Sequence, residues 1–427
     1  MAKKILTVYG VAILLGILTG IIGSFFQMAI HGVDSILTNF YHYMHENGVS
    51  AFLLSAVVSA VMAFIAWLLV VSYAPEAAGS GIQEIEGVLL NKRKIYWRRL
   101  LPVKFIGGVL VISAKMVVGR EGPTIQMGGN LGDMLGEIFR FKHERRKTLI
   151  SAGAAAGLAT AFNAPLAGVL FVIEEMRNEF NFNFINFKTV AICCIFAVIT
   201  TQCLVGSAPA IPMAVFDAPD LNSLWLFFLF GIIAGIVGLF FNQFLMFTLR
   251  ATDKISKRYR AVYVILIGAL VGFLAIYYSE LAGGGYQIIE QSLTMFPSFT
   301  TLVILIVIRF VLTMLCYSTG VPGGIFAPML ALGTLLGLGC YQMFSWVFDD
   351  MSVHPGMFAV AGMGSLFSAA IRAPITGIIL VVEMTQNYSL ILPLMVSCLT
   401  STTIVQLARN APIYTQLLHR TLKMASL

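Results

Sequence analysis

Apolar stretches of roughly twenty residues, the length that spans a bilayer as a helix, recur from residue 5 to residue 408 with short polar segments between them. They are too many for one signal peptide or anchor, so the pattern predicts a multi-pass helical bundle. The first stretch follows Lys3 and Lys4 and has no small-residue cleavage site after it, so it is expected to remain as the first helix. A membrane β-barrel would instead alternate polar and apolar residues in segments of about ten. Because most stretches are apolar all round, periodicity does not say which faces meet lipid and which meet protein.

Composition agrees with a lipid solvent: 58% of residues are hydrophobic and 11% charged, against roughly 25% charged in soluble domains. The net charge of +7 lies in the connections. Lys92, Arg93, Lys94, Arg98 and Arg99 form one basic cluster; Arg140, Lys142, Arg145, Arg146 and Lys147 a second; Arg250, Lys254, Lys257, Arg258 and Arg260 a third. These mark the cytoplasmic face, as do the basic termini (Lys3, Lys4, Arg420, Lys423). The stretch from Ser207 to Asn222 and that around Asp349 and Asp350 carry no Lys or Arg and are expected outside. No cluster is interleaved with aromatics on a soluble module, so nucleic acid is not an expected partner. The cysteines (Cys193, Cys194, Cys203, Cys316, Cys340, Cys398) lie in or beside apolar runs without CxxC spacing and read as small packing hydrophobes. The histidines are scattered; neither a metal site nor a cofactor is implied.

The two halves of the chain match weakly. Ala164-Pro165-Leu166-Ala167-Gly168 falls on Ala373-Pro374-Ile375-Thr376-Gly377 at an offset of 209, which also superposes Gly153 on Gly362, Ala161 on Ala370 and Glu174 on Glu383. At an offset of 205, Gly119, Pro123, Gly128 and Gly132 fall on Gly324, Pro328, Gly333 and Gly337. Nearly equal offsets favour duplication over chance coincidence in a glycine-rich chain. Repeat-built transporters hold substrate at the repeat interface, on helices broken by Gly and Pro, which directs attention to residues 119–123 and 323–328.

A charge inside a membrane segment costs several kcal/mol and is a functional candidate by default. Glu121 stands in Gly119-Arg120-Glu121-Gly122-Pro123, between Met116-Val117-Val118 and the segment from Thr124 to Leu135. Pro123 suits the first turn of a helix, where a missing N–H costs nothing. That helix start offers unpaired N–H groups and positive dipole to an anion, and a tethered carboxylate can occupy the place a free anion would take. The bland alternative pairs Glu121 with Arg120. Gly323-Gly324-Ile325-Phe326-Ala327-Pro328 has the same grammar without the acid, and Gly79-Ser80-Gly81-Ile82 adds a neutral hydroxyl donor. A phosphate loop is excluded because its Lys and Ser/Thr are missing.

These motifs, in this order and with a C-terminal Tyr414, resemble the CLC family of chloride channels and proton-coupled antiporters, most nearly the bacterial chloride/proton exchangers, over essentially the whole chain. The resemblance implies an all-α polytopic fold of tilted and broken helices in two inverted repeats (halves about 1–205 and 206–427 of one transport domain). It implies a homodimer with one pore per subunit, in a bacterial inner membrane. Ser80 and Tyr414 correspond to hydroxyls that hold a central chloride with the backbone amides of Ile325 and Phe326. Glu121 corresponds to the outer gating glutamate. Glu175 corresponds to the inner acid that passes protons to the gate in antiporters and that channels usually lack. Read without the resemblance, Glu175 is equally a cytoplasmic helix end paired with Arg177, while Glu174 is assigned to structure. Ser80 and Pro123 point to chloride, since fluoride-specific relatives usually lack the serine and alter that proline, and nitrate-preferring ones tend to carry proline in place of Ser80. Gln83, where the family commonly has proline, is expected to affect how its helix begins more than how the anion is held. The chain runs 13 residues beyond Tyr414, so no cytoplasmic CBS-type nucleotide-sensing domain is expected.

The mechanism expected is competition at one site: ionised Glu121 occupies an anion position, and protonated Glu121 yields it to chloride. Lys104 either raises the local potential from a distance or snorkels to the cytoplasmic surface. An uncoupled chloride channel would share the pore without needing Glu175. A cation-coupled carrier would need acids or carbonyls for the cation and a roomier pocket. An intramembrane enzyme would need a nucleophile with its base or a metal cluster, and neither appears.

Overall fold

A computed structural model describes all residues except 1, 49, 178, 179, 181, 349, 350, 426 and 427, so the acidic pair Asp349 and Asp350 lies outside the described residues. The first half comprises α1 (Ala2–Glu46), α2 (Ala51–Tyr73), α3 (Ile82–Leu89), α4 (Trp97–Ser113), α5 (Glu121–Ile138), α6 (His143–Phe162), α7 (Pro165–Glu175) and α8 (Phe184–Val205). The second comprises α9 (Leu224–Asp253), α10 (Lys257–Tyr277), α11 (Tyr286–Met295), α12 (Phe299–Ser318), α13 (Phe326–Ser345), α14 (Pro355–Ile371), α15 (Pro374–Thr385) and α16 (Ile391–Leu407), followed by α17 (Ile413–Ala425). Among the described residues, eight helices are long and apolar enough to cross a membrane. The two halves mirror one another element for element, and no strand occurs among the described residues.

Local chemistry sets the breaks. α7, α14 and α15 each begin on proline, whose fixed φ suits the first helical position. α6 and α14 end on Asn163 (φ 54°) and Arg372 (φ 65°), both left-handed and 209 positions apart, and an Ala-Pro pair restarts the chain after each. Close approach explains the repeated glycines. A Cβ on Gly128 would lie 2.1 Å from the Gly153 carbonyl, and one on its mate Gly333 would lie 2.2 Å from that of Gly362. α5 therefore crosses α6, and α13 crosses α14, backbone against backbone, as small residues permit in membranes. These helices are buried on nearly every face.

Two sets of contacts fix how the halves face each other. Glu174 near the end of α7 accepts from the Ile375 and Thr376 amides at the start of α15 (3.0 and 2.6 Å). Reciprocally, Glu383 near the end of α15 accepts from Leu166 and Ala167 at the start of α7 (3.2 and 2.9 Å). Each helix caps the other, so the repeat mates run antiparallel. The offset-205 pair does the same: Gly119 and Gly324 form an antiparallel bridge, N to O at 2.7 and 2.8 Å. A two-fold relation exchanging each helix with a mate of opposite direction is the geometry of inverted repeats. Glu174 thus has the structural role expected of it.

Five cysteines are buried and unpaired, as expected of packing residues, whereas Cys203 is exposed near the end of α8. The long apolar helices keep large exposed residues such as Phe228, Phe240, Phe244 and Phe247 on α9, the surface expected of helices facing lipid.

The reciprocal caps should be worth about 1–2 kcal/mol each. Glu174→Ala and Glu383→Ala should lower the thermal unfolding temperature in detergent, and the glutamine variants, which still accept a hydrogen bond, should recover part of it.

Candidate anion site and gate

The three broken motifs meet. α3 begins after Gly81, held left-handed at φ 83°; α5 begins at Glu121; α13 begins at Phe326. The extended residues before these starts are hydrogen-bonded to one another. Gly79 N donates to Val321 O (3.0 Å), Gly323 N donates to Gly79 O (3.0 Å), and the Gly119–Gly324 bridge joins the other side. The segment before α13 is the middle member, tied to both others. Three helix N-termini, each with first-turn amides lacking intrahelical acceptors, are thereby held together.

Two hydroxyls complete the set. Ser80 and Tyr414 are fully buried, and neither Ser80 Oγ nor Tyr414 Oη has a hydrogen-bond partner among the described residues. A buried hydroxyl left unsatisfied costs about 1–3 kcal/mol, so two beside helix N-termini fit a candidate site whose acceptor is a small anion. Gly122 at the start of α5 lies so close to Ser80 that a Cβ there would stand 2.7 Å from Oγ and 2.9 Å from the serine backbone. The Tyr414 ring stacks 6.0 Å from Phe326, whose amide opens α13. Phe326 also meets Phe162, Phe171 and Phe367 at ring separations of 6.3, 6.3 and 5.0 Å. The amides of Ile325 and Phe326 belong to the same helix start.

Glu121 is the first residue of α5 and fully buried. Its Oε1 accepts from Tyr286 Oη at 2.7 Å. Its Oε2 has no partner among the described residues and points over Gly119, where a Cβ would lie 2.1 Å from it and 3.2 Å from Ala327 N. The carboxylate therefore reaches across from one helix start toward another. Arg120 makes no ion pair with it: its guanidinium donates to Ala161 O (3.3 Å) and sits 5.3 Å from the centre of the Tyr286 ring. Pro123 falls in the first turn of α5 and Pro328 in that of α13, as their positions predict.

The voltage gated chloride channel family matches residues 62–406. The chain belongs to this family. It is 45% identical over 416 residues to a protein of Vibrio parahaemolyticus named H(+)/Cl(-) exchange transporter ClcA, covering 96% of this chain and 89% of that one. Its likeness to the namesake of Salmonella schwarzengrund is 43% over 424 residues, covering 98% and 90%. Among solved structures, a slow cyanobacterial Cl-/H+ antiporter superposes with a TM-score of 0.94 at 37% identity, covering 97% of this chain and 98% of the other. A CLC-type fluoride/proton antiporter at 22% identity and a TM-score of 0.78 shares the fold, covering 97% and 98%.

Two cavities approach the laced core of this CLC chain. One of about 380 Å³ is lined by Gly119, Arg120 and Tyr286, residues close to Glu121 in sequence or bonded to it, and by His31, Asp34 and Lys115. The other, of about 390 Å³, reaches Gly79 and Tyr317 and is rimmed by Arg93, Lys257, Arg260 and Arg420. All four cations belong to clusters or termini read as cytoplasmic. Asp253 ties two of them down: it pairs with Arg420 (2.7 and 2.5 Å) and Arg260 (3.2 Å), which fixes α17, the helix carrying Tyr414, to the ends of α9 and α10.

Lys104 does not snorkel. It is fully buried, and Nζ donates to Ala77 O (2.9 Å) and Gly79 O (2.7 Å), holding the turn that presents Ser80. Glu175, the last residue of α7, is half-buried and lies one helical turn beyond Phe171. Gln83 is buried at the start of α3 without disturbing it. Sequence reasoning missed Tyr286 and Tyr317. Tyr317 Oη accepts from Ser80 N at 3.4 Å, yet it sits in an apolar run with no local signal. Tyr286 had one: it follows Gly283-Gly284-Gly285, a fourth glycine-containing break ahead of a helix.

Gly→Ala within a helix ordinarily stabilises by about 1 kcal/mol. Gly122→Ala should do the opposite for function, because the new methyl drives Ser80 away. Chloride turnover should fall about a hundredfold in flux assays, with the protein still folded by thermal unfolding.

Proposed function

We propose that this chain exchanges chloride for protons across the membrane, with Glu121 as the gate that couples them. The observation that carries the reading is the Glu121 carboxylate at the start of α5, poised over the start of α13, in the same core as the unpartnered hydroxyls of Ser80 and Tyr414. An ionised carboxylate there competes with chloride for positive helix ends. Once protonated it loses that attraction and the anion takes its place. Ser80, Tyr414 and the amides of Ile325 and Phe326 bind the chloride, while Gly79, Gly81, Gly119, Gly122, Gly324, Pro123 and Pro328 shape the helix starts around it. Dipoles and hydroxyls bind an anion without the tight hold of a full positive charge, so release stays fast.

Glu175 brings protons from the cytoplasmic side to Glu121, and external protons reach it from the cavity lined by Arg120 and Tyr286. Alternation between carboxylate and chloride moves the two ions in opposite directions. The chain works as one transport domain in a homodimer, in a bacterial inner membrane, with both termini cytoplasmic. The basic rim of the Gly79 cavity supports that orientation, since positive loops face the cytoplasm.

In chloride-loaded proteoliposomes at fixed membrane potential, an outward chloride gradient should drive protons inward against their own gradient. Glu175→Gln should abolish proton uptake while chloride still moves. Chloride flux without protons in the unmodified protein would make it a channel and remove the assigned role of Glu175.

A further inference from the structure

The gating carboxylate has a single side-chain donor among the described residues, Tyr286 Oη, and the surroundings of that tyrosine are built to hold it still. Tyr286 is the first residue of α11, preceded by Gly285 at φ 121°, a conformation side chains rarely adopt. The connection from Glu280 to Gly285 is held from beneath by Arg309 of α12, which is fully buried. Its Nη1 donates to Glu280 O (2.8 Å) and Ala282 O (3.3 Å), and its Nη2 to Gly283 O (3.0 Å). Gly283 N in turn donates to Lys115 O at 2.7 Å, on the segment that leads into Gly119. A buried arginine spent on three carbonyls of one loop is costly unless the loop's position matters. That position sets the Tyr286 hydroxyl against Glu121.

We propose that Tyr286 is a latch on the gate. Its hydroxyl stabilises the ionised, site-occupying form of Glu121 and so slows each opening, and Arg309 fixes the latch. The proposal rests on Glu121 being the gate. A phenol donating to a carboxylate is a charge-assisted bond of the stronger kind, and it is lost when the carboxyl swings away to admit chloride. The tyrosine also lines the cavity beside the gate, so the latch stands where external protons arrive. The charged groups facing this region are Arg120 beside the ring, His31 and Asp34 from α1, Lys115 paired with Asp34, and Arg309 behind the loop.

The sign of the pH effect follows from hydrogen bonding to the charged form, which lowers a carboxyl's proton affinity. Removing the hydroxyl raises that affinity, so the acid-activated limb of transport moves to higher pH. Tyr286→Phe keeps the ring over which Arg120 sits and deletes only the donor. Turnover at near-neutral pH should rise roughly tenfold, and the midpoint of acid activation should move up by about one pH unit, with proton coupling retained. In a Glu121→Gln background the same change should alter neither turnover nor pH profile, because there is no carboxylate left to latch. Thermal unfolding of each variant in detergent separates these effects from misfolding, and Tyr286→Leu, which removes ring and hydroxyl together, should raise turnover at least as much. Unchanged turnover and pH profile in Tyr286→Phe would overturn the latch, as would equal changes with and without Glu121. Proton coupling that survives Glu121→Gln would instead sink the gating assignment itself.

Discussion

The structure depends on three helix starts being held together in the middle of the molecule. Each offers amide hydrogens and the positive end of a dipole, and bringing them together is unfavourable unless something negative lies between them. Short backbone bonds across Gly79, Gly119 and Gly324 hold them close, and only residues without side chains allow that approach. Lys104 donates to two carbonyls of the Gly79 turn rather than placing its charge at the anion site. In the proposed mechanism the negative partner is either the carboxylate of Glu121 or a free anion, and competition between them follows from where the helices begin.

The two-fold relation between the halves is what makes such a centre affordable to build from one chain. Glu174 and Glu383 satisfy helix starts in the opposite repeat, so amides away from the anion site are neutralised by permanent carboxylates. Those at the proposed anion site are left, in the proposed mechanism, to the exchangeable one of Glu121. The repeats differ where function demands it: Glu121 at the start of α5 corresponds to Phe326 at the start of α13. In the proposed mechanism one repeat supplies the gate, and the other supplies the aromatic and amide wall it closes against.

Much of this could be read along the chain because it rests on local grammar. The Gly and Pro breaks, the lone acid among apolar residues and the paired offsets of the repeats each announce a helix start or a duplication without reference to the rest of the fold. What the sequence concealed are choices of partner across long distances. Lys104 looked equally ready to snorkel, and only the packing of α4 beneath the Gly79 turn decides otherwise. Tyr317 accepts from Ser80 N out of an apolar helix, and Tyr286 reaches Glu121 from 165 positions away. Arg309 is, like Glu121, a charge within an apolar stretch, but its partners are carbonyls of a loop and carry no sequence mark. Helix ends are legible; the side chains that brace them are not.

The most direct test of the competition is crystallographic, with bromide in place of chloride and its anomalous scattering used to locate the ion. In the unmodified protein one bromide is expected between Ser80 Oγ, Tyr414 Oη and the start of α13. In Glu121→Gln a second is expected, at the place the Glu121 carboxylate holds over Gly119. Bromide absent from the Ser80–Tyr414 site, or an ion lying over Gly119 while an ionised Glu121 still occupies that place, would contradict the competition.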